Sequence, residues 1–184
     1  MVEEEDFSNY ISHIKGIKVS RRANLRGLGN LRTGDQNVFS HGSVLRGDLA
    51  LITTGRNVFL GTNSVLQPPH KLFKEVRSYY RQQIGSHVVI GRECVVNAAA
   101  IGSYVRIGND VIIGQGCVIK DCVRIEDGAV LPPDMVVAPF SVVGGSPAKI
   151  IGRCVDVESQ LGEQFAIDTY HTFVAKLDSA TPQT

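Results

Sequence analysis

Aliphatic residues return at every sixth position through the centre of the chain. Each of these lead positions carries Ile, Leu or Val, glycine often follows it, and a compact residue often stands four positions later. The leads are Ile84, Ile90, Val96, Ile101, Ile107, Ile113, Ile119, Ile125, Leu131, Val137 and Val143. A helix would repeat about every 3.6 residues and a half-buried strand would alternate, and neither pattern fits this stretch as well. A fixed hexapeptide period predicts a parallel β-helix.

Three hexads make one triangular coil, so leads about 18 positions apart should stack in columns. The predicted columns are Ile84, Ile101, Ile119 and Val137; Ile90, Ile107, Ile125 and Val143; and Val96, Ile113 and Leu131. The phase continues upstream through Thr54, Leu60 and Leu66, which gives about seven coils in total. No single coil buries its own aliphatic leads, so the stability must come from stacked neighbours. The fold class predicted is therefore an all-β solenoid.

The pattern changes at both ends of the repeats and once inside them. Residues 1–18 are predicted to be an N-terminal extension, 19–152 the β-helix, 153–178 a helix and 179–184 a tail. In the helix, Leu161, Phe165, Phe173 and Leu177 are spaced by multiples of four and predict an apolar face that packs on the prism. The internal stretch QPPHKLFKEVRSYYRQQ interrupts the aliphatic period, and we expect a degraded coil with a bulging polar loop.

Composition narrows the function classes. A length of 184 residues suits one domain, and a net charge of +1 provides no global field for nucleic acid. No segment approaches the roughly 20 apolar residues of a membrane span, and the acidic start MVEEEDFSNY lacks the apolar run of a signal peptide. The four cysteines form no CxxC pair and are expected to be reduced residues of the core. A cytoplasmic protein without direct membrane insertion is expected.

The hexads resemble the left-handed β-helix superfamily, which includes acyltransferases and gamma-class carbonic anhydrases. The segments SVLRGDLALITTGRNVFLGTNSVLQPP, CVVNAAAIGSYVRIG and IEDGAVLPPDMVVAPFSVVGGSPA are more specifically similar to the dynactin subunit five family. That resemblance implies a left-handed coil and a non-enzymatic structural or adaptor role in the dynactin pointed-end complex. The partners it implies are a second left-handed β-helix subunit, an actin-related protein of the pointed end and the cargo adaptors of dynein. It implies a cytoskeleton-associated protein and no cofactor.

A zinc enzyme is the sharpest catalytic alternative, because carbonic anhydrases of the gamma class also carry the RGD found here at 46–48. In that resemblance, the first zinc-binding histidine falls on Gln67 and the other two fall on Arg92 and Asn97. Zinc needs imidazole, thiolate or carboxylate donors, and a guanidinium has no lone pair to give. The sequence therefore predicts no metal ion and no catalytic residue at these positions.

An acyltransferase needs a histidine as general base. Among the scattered histidines, His70 follows two prolines and is the best candidate, whereas His87 lies within a hexad and is expected to face outward. The turn GGSPAK does resemble the closing turn of acyltransferases and carbonic anhydrases. The alternative function is thus a homotrimeric left-handed β-helix enzyme, either an acyltransferase or a degenerate gamma-class carbonic anhydrase.

Partner-binding candidates lie in two places. The segment KLFKEVRSYYRQQ combines basic and aromatic side chains, which are enriched in interface hot spots, and a solvated loop remains the alternative. Arg46 and Asp48 suit either a subunit contact or a local ion pair of little energetic value. The candidate residues are Arg46, Asp48, Lys71, Lys74, Arg77, Tyr79, Tyr80 and Arg81.

Overall fold

Short strands wound into coils, with one α-helix beside them, make up the part of the chain that this computed structural model describes, residues 7–155 and 157–180. The first strands are β1 (Tyr10–Ser12), β2 (Lys18–Ser20), β3 (Asn24–Arg26), β4 (Leu31–Thr33), β5 (Val38–Phe39), β6 (Val44–Arg46), β7 (Ile52–Thr54), β8 (Val58–Leu60), β9 (Val65–Leu66), β10 (His70–Phe73), β11 (Val76–Tyr79) and β12 (Gln82–Ile84). The later elements are β13 (Val88–Ile90), β14 (Val95–Val96), β15 (Ala100–Ile101), β16 (Arg106–Ile107), β17 (Ile112–Ile113), β18 (Val118–Ile119), β19 (Arg124–Ile125), β20 (Val130–Leu131), β21 (Val136–Val137), β22 (Ser141–Gly144), β23 (Lys149–Arg153) and α1 (Glu158–Ala180). Three short 3₁₀ turns, Phe7–Asn9, Ile14–Gly16 and Leu28–Asn30, lie near the start of this described part.

Three sheets form the walls of the solenoid. Sheet I runs β1-β2-β5-β8-β13-β16-β19-β22-β23, sheet II runs β3-β6-β9-β14-β17-β20, and sheet III runs β4-β7-β12-β15-β18-β21. All pairs are parallel except β1 with β2 and β22 with β23, which close the two ends of sheet I. The predicted β-solenoid is confirmed, with six complete coils and a seventh parallel strand in sheet I.

The lead residues stack in the predicted columns. Ile84 pairs with Ile101, Ile101 with Ile119 and Ile119 with Val137, and the other two columns keep the same register. These side chains are at most 3% exposed, because each coil covers the aliphatic residues of the next. Burial of this kind stabilises by about 1.5–3 kcal/mol per side chain, and the columns form a large part of the core.

One corner of the prism is a ladder of residues with positive φ, which we name the corner ladder. Its members are Gln36, Asn57, His87, Tyr104, Cys122 and Phe140. Each backbone N–H in this ladder reaches a carbonyl of the preceding coil, as in His87 N to Arg56 O (2.9 Å) and Tyr104 N to Ser86 O (3.0 Å). A residue with a side chain pays about 1 kcal/mol or more in this conformation, and the repeated hydrogen bonds offset that cost.

The helix α1 lies against sheet I and the corner ladder. Its buried residues are Ala166, Tyr170, Phe173 and Leu177, whereas Leu161, expected on the apolar face, is 53% exposed. The ring of Phe173 contacts Phe7, Tyr10 and Phe59 at centroid distances of 5.5, 5.0 and 5.7 Å. The helix therefore ties the N-terminal segment to the outer face of sheet I.

The ends differ from the expected boundaries for local reasons. Because Lys149–Arg153 pairs antiparallel with β22, α1 begins at Glu158 and not at 153. Strand β2 begins at Lys18 and pairs with Tyr10–Ser12, so part of the expected N-terminal extension belongs to sheet I. Residues 1–6 of that extension and 181–184 of the expected tail lie outside the described residues.

Candidate interaction surface

The segment between β9 and β12 forms a β-hairpin, where the sequence led us to expect a degraded coil with a bulging loop. Strands β10 and β11 pair antiparallel, with His70 opposite Tyr79 and Phe73 opposite Val76. Lys74 and Glu75 form the two-residue turn and have φ of 46° and 64°. Positive φ at both central residues matches a type I′ turn, whose twist suits antiparallel strands. We refer to residues 70–81 as the hairpin.

The root of the hairpin is fixed by hydrogen bonds to the solenoid. The backbone N–H of His70 donates to Gln115 Oε1 (2.9 Å), and Tyr80 N donates to Pro69 O (2.8 Å). Gln82, which is fully buried, donates from Nε2 to the carbonyls of Gln67 (3.2 Å), Val96 (3.1 Å) and Ala98 (2.9 Å). These contacts hold the point where the chain leaves the coil and returns to it.

The rest of the hairpin projects into solvent with apolar and basic side chains. Leu72, Phe73 and Val76 are 67%, 71% and 64% exposed, and Tyr80 is 50% exposed. The exposed charges on the hairpin are Lys71, Lys74, Arg77 and Arg81 against Glu75. This grouping of exposed apolar residues makes the hairpin a candidate interaction surface, and its excess of basic side chains is complementary to acidic groups.

Arg46 and Asp48 lie near the base of this hairpin. Arg46 donates from Nε to Asp48 Oδ1 (2.8 Å) and from a terminal nitrogen to Oδ2 (2.9 Å). This bidentate bond raises the pKa of Arg46 and lowers that of Asp48, and Tyr79 adds a smaller upward effect on the pKa of Arg46. The structure thus places the predicted candidates Arg46, Asp48 and Tyr79 near one another at the II–III corner.

Sheet II carries a feature that the sequence analysis missed. Its outward positions form a register-matched column, which we name the sheet II ladder: Val44, Val65, Val95, Ile112 and Val130. Ile112 is 45% exposed and the valines are half-buried. The sequence does contain a pattern that could have revealed this column, because an aliphatic residue stands directly before the lead residue of every third hexad. Because α1 covers sheet I, the sheet II ladder is an uncovered flat apolar face of the described chain.

Two of the three positions on which the zinc-binding histidines fall in the carbonic anhydrase resemblance lie together in this chain, and the third lies apart. Gln67 and Asn97 occupy successive positions at the II–III corner beneath the hairpin, whereas Arg92 is exposed at the I–II corner. The backbone N–H of Arg92 donates a hydrogen bond to Asn109 Oδ1 (3.0 Å). Among residues 7–155 and 157–180, no three His, Cys, Asp or Glu side chains are grouped as a metal ion would require.

The histidines and cysteines lie in different surroundings. His87, expected to face outward, is 3% exposed beneath α1 and stacks on Tyr104 with ring centroids 5.4 Å apart. The reason is that α1 returns over the corner ladder, a contact between distant segments that hexad phase does not encode.

Cys94 and Cys117 are buried, and burial raises the pKa of both thiols, which disfavours the reactive thiolate.

Stacked hexads in three parallel sheets, followed by a C-terminal helix, define a hexapeptide-repeat β-helix protein. A hexapeptide transferase family protein from Anaplasma phagocytophilum has the same fold, with a TM-score of 0.67, 20% identity, and coverage of 91% of this chain and 98% of that one. An N-acyltransferase from Bacillus cereus superposes with a TM-score of 0.68 at 14% identity, covering 84% of this chain and 90% of that one. At such low identity these likenesses establish the fold and carry no catalytic assignment.

A narrower match comes from sequence. The family model described as dynactin subunit 5 matches residues 4–179, and the chain belongs to this family. Dynactin subunit 5 of Dictyostelium discoideum is 41% identical over 96 residues, 52% of this chain and 48% of that protein. The match therefore spans about half the length of that curated relative. The family resemblance stated from the sequence is confirmed.

No helix within the described ranges is both long enough and apolar enough to cross a membrane.

Proposed function

We propose that this protein is a non-enzymatic structural subunit of dynactin that works by presenting two contact surfaces. The observation that carries the proposal is the sheet II ladder, a flat aliphatic face left uncovered while α1 occupies sheet I. Membership of the dynactin subunit 5 family supports this role. A place in the cytoplasm, associated with the cytoskeleton, follows from it.

The sheet II ladder is assigned to a second left-handed β-helix subunit. A flat sheet with aliphatic side chains is complementary to another flat sheet, because aligned faces pack side chains without gaps. Ile112 lies between Val95 and Val130 in this ladder. Arg46 and Asp48, beside the ladder, would border such an interface with a polar rim.

The hairpin is assigned to the cargo adaptors of dynein. It projects from the prism, and its exposed Leu72 and Phe73 stand beside Lys71 and Arg77. This combination suits an acidic segment with apolar anchors, because opposite charge accelerates association and apolar burial supplies affinity. An actin-related protein of the pointed end completes the proposed set of partners.

The test is purification of the tagged full chain from its own cells, followed by identification of stoichiometric partners. We expect a second hexapeptide-repeat protein, an actin-related protein and dynein components with the wild type. Ile112→Glu should lose the hexapeptide-repeat partner, and Val136→Glu, a change of an exposed aliphatic residue on sheet III, should keep it. Loss of that partner with Val136→Glu but not with Ile112→Glu would contradict the assignment of sheet II.

The adaptor contact has its own variant. The double change Lys71→Glu and Arg77→Glu should release dynein components while the hexapeptide-repeat partner remains, and Lys120→Glu, an exposed site away from the hairpin, serves as the control. Equal retention of dynein components by all three proteins would refute the role of the hairpin. Recovery of the chain alone, at three times its monomer mass, would refute the proposed function and favour the homotrimeric enzyme.

A further inference from the structure

A cavity of about 240 Å³ lies between α1 and the corner ladder, on the opposite side of sheet I from the core. Asn57 and His87 line it from the ladder, and Glu163, Ile167 and Tyr170 line it from the helix. The proposed function uses none of these side chains. The cavity is therefore separate from the hairpin and from the sheet II ladder.

Two polar side chains of this cavity are buried without hydrogen bonds. His87 is 3% exposed and Asn57 is 6% exposed. Both ring nitrogens of His87 and Oδ1 of Asn57 have no hydrogen-bond partner among the described residues. Buried polar atoms of folded proteins are nearly always paired, because an unmade hydrogen bond costs about 1–3 kcal/mol. These atoms indicate an occupant that completes their hydrogen bonds.

The rim carries one charge of each sign. Glu163 Oε1 lies 3.8 Å from His87 Nε2, too far for a direct hydrogen bond. Arg56 also lines the cavity. Burial lowers the pKa of His87, with Glu163 raising it and Arg56 lowering it further. A neutral imidazole offers one donor and one acceptor, so the buried wall is neutral and the rim has both signs.

We propose that this cavity binds a compact zwitterion of the amino-acid type. Its carboxylate would face Arg56 and accept from the ring N–H of His87. Its ammonium group would face Glu163, Asn57 Oδ1 and the unprotonated ring nitrogen of His87, and its carbon atoms would lie against Ile167. A simple anion would leave the Glu163 carboxylate facing a like charge, and a simple cation would meet Arg56 in the same way. One water occupies about 30 Å³ in the liquid. A cavity of about 240 Å³ therefore has room for several waters or for one small amino acid.

Such a ligand would bridge two elements that are distant in sequence. Asn57 and His87 belong to the solenoid, and Glu163 and Ile167 belong to α1. A ligand bound to both would favour the docked helix over an undocked one by mass action. Binding of the ligand would therefore increase the protection of the α1 amides from hydrogen exchange.

The experiment records the imidazole signals of His87 by NMR in the full chain at neutral pH, with glycine and L-alanine as probes. Acetate and methylammonium, each carrying one half of the zwitterion, are the matched controls. We expect saturable shifts in the millimolar range with glycine or alanine, little change with either half alone, and loss of the shifts in Arg56→Gln and in Glu163→Gln. Arg92→Gln, at an exposed site on another corner, should behave as the wild type.

Circular dichroism establishes that each variant is folded. An absence of saturable shifts with both amino acids in the folded wild type would overturn the proposal. Shifts produced equally by acetate and retained in Glu163→Gln would overturn it as well, in favour of a simple anion.

Discussion

Replacing Gln82 with leucine tests whether this side chain holds the hairpin to the solenoid. Gln82 is fully buried, and its Nε2 contacts three carbonyl oxygens, those of Gln67, Val96 and Ala98. An amide nitrogen has only two hydrogens, so one of them must be shared between two of the three carbonyl oxygens. Leucine keeps a similar volume and removes both donors.

The expected loss of folding stability depends on the carbonyl groups that no longer receive a hydrogen bond from Gln82. A carbonyl that loses a buried hydrogen bond costs about 1–3 kcal/mol. Val96 O keeps the hydrogen bond from Gln67 N (3.0 Å), and leucine also removes the unpartnered Gln82 Oε1, which offsets part of the loss. We expect Gln82→Leu to lower the free energy of unfolding by about 2–4 kcal/mol.

Denaturant unfolding measures this value, provided that the slope with denaturant is unchanged. Gln83→Leu is the control, because Gln83 is the exposed neighbour on the same strand. Amide exchange in β10 and β11 should accelerate in Gln82→Leu and not in the control. The reasoning is refuted if both variants differ from the wild type by less than about 0.5 kcal/mol, the range of ordinary surface changes.

Three further predictions address the columns, the helix and the buried histidine. Ile107→Ala, in the middle of a column, should lower the free energy of unfolding by about 2–5 kcal/mol in calorimetry, and a loss no larger than that of the exposed change Lys120→Ala would contradict the stacking model. Phe173→Ala should cost about 3–5 kcal/mol through loss of its aromatic cluster, with faster amide exchange in α1; unchanged exchange there would exclude a docking role. Burial lowers the pKa of His87 in the folded state. When the pH falls below the unfolded pKa of about 6.5, His87 therefore binds more protons in the unfolded chain than in the folded one. Stability is therefore full above that pH and falls as the pH drops from it towards the folded pKa, and His87→Gln should flatten this decline in unfolding curves; an equally steep decline in the variant would assign it to other groups.

The solenoid was predictable because its period is local and repeated. Columns such as Ile90, Ile107 and Ile125 follow from lead positions alone, since each coil contacts only its neighbours. The hairpin was missed because Lys74 and Glu75 adopt positive φ without the Asn or Gly that usually signals such a turn. Its alternation is also weak, because both faces of the hairpin are exposed.

The surroundings of single side chains depended on contacts between distant segments. His87 is buried by α1, and the hexad pattern does not say which sheet the helix covers. The sheet II ladder was visible in principle as a second aliphatic position before the leads, yet its significance depends on α1 occupying sheet I. Gln82 is a further example. Its role follows from the carbonyl groups that surround its side chain, and the sequence alone does not give their positions.

The geometry of a solenoid explains how its surface can change while its core stays the same. An insertion at a corner leaves the columns intact: Thr54 still pairs with Ile84, and Leu66 with Val96, although the hairpin separates the strands in sequence. Outward and corner positions therefore change without disturbing the core, because inward and outward side chains alternate along each strand. In this chain the corner beneath the hairpin holds Gln67 and Asn97, which suit hydrogen bonding better than metal binding. The aliphatic columns preserve the prism, and the hairpin and the sheet II ladder are the two surfaces that we propose for partners.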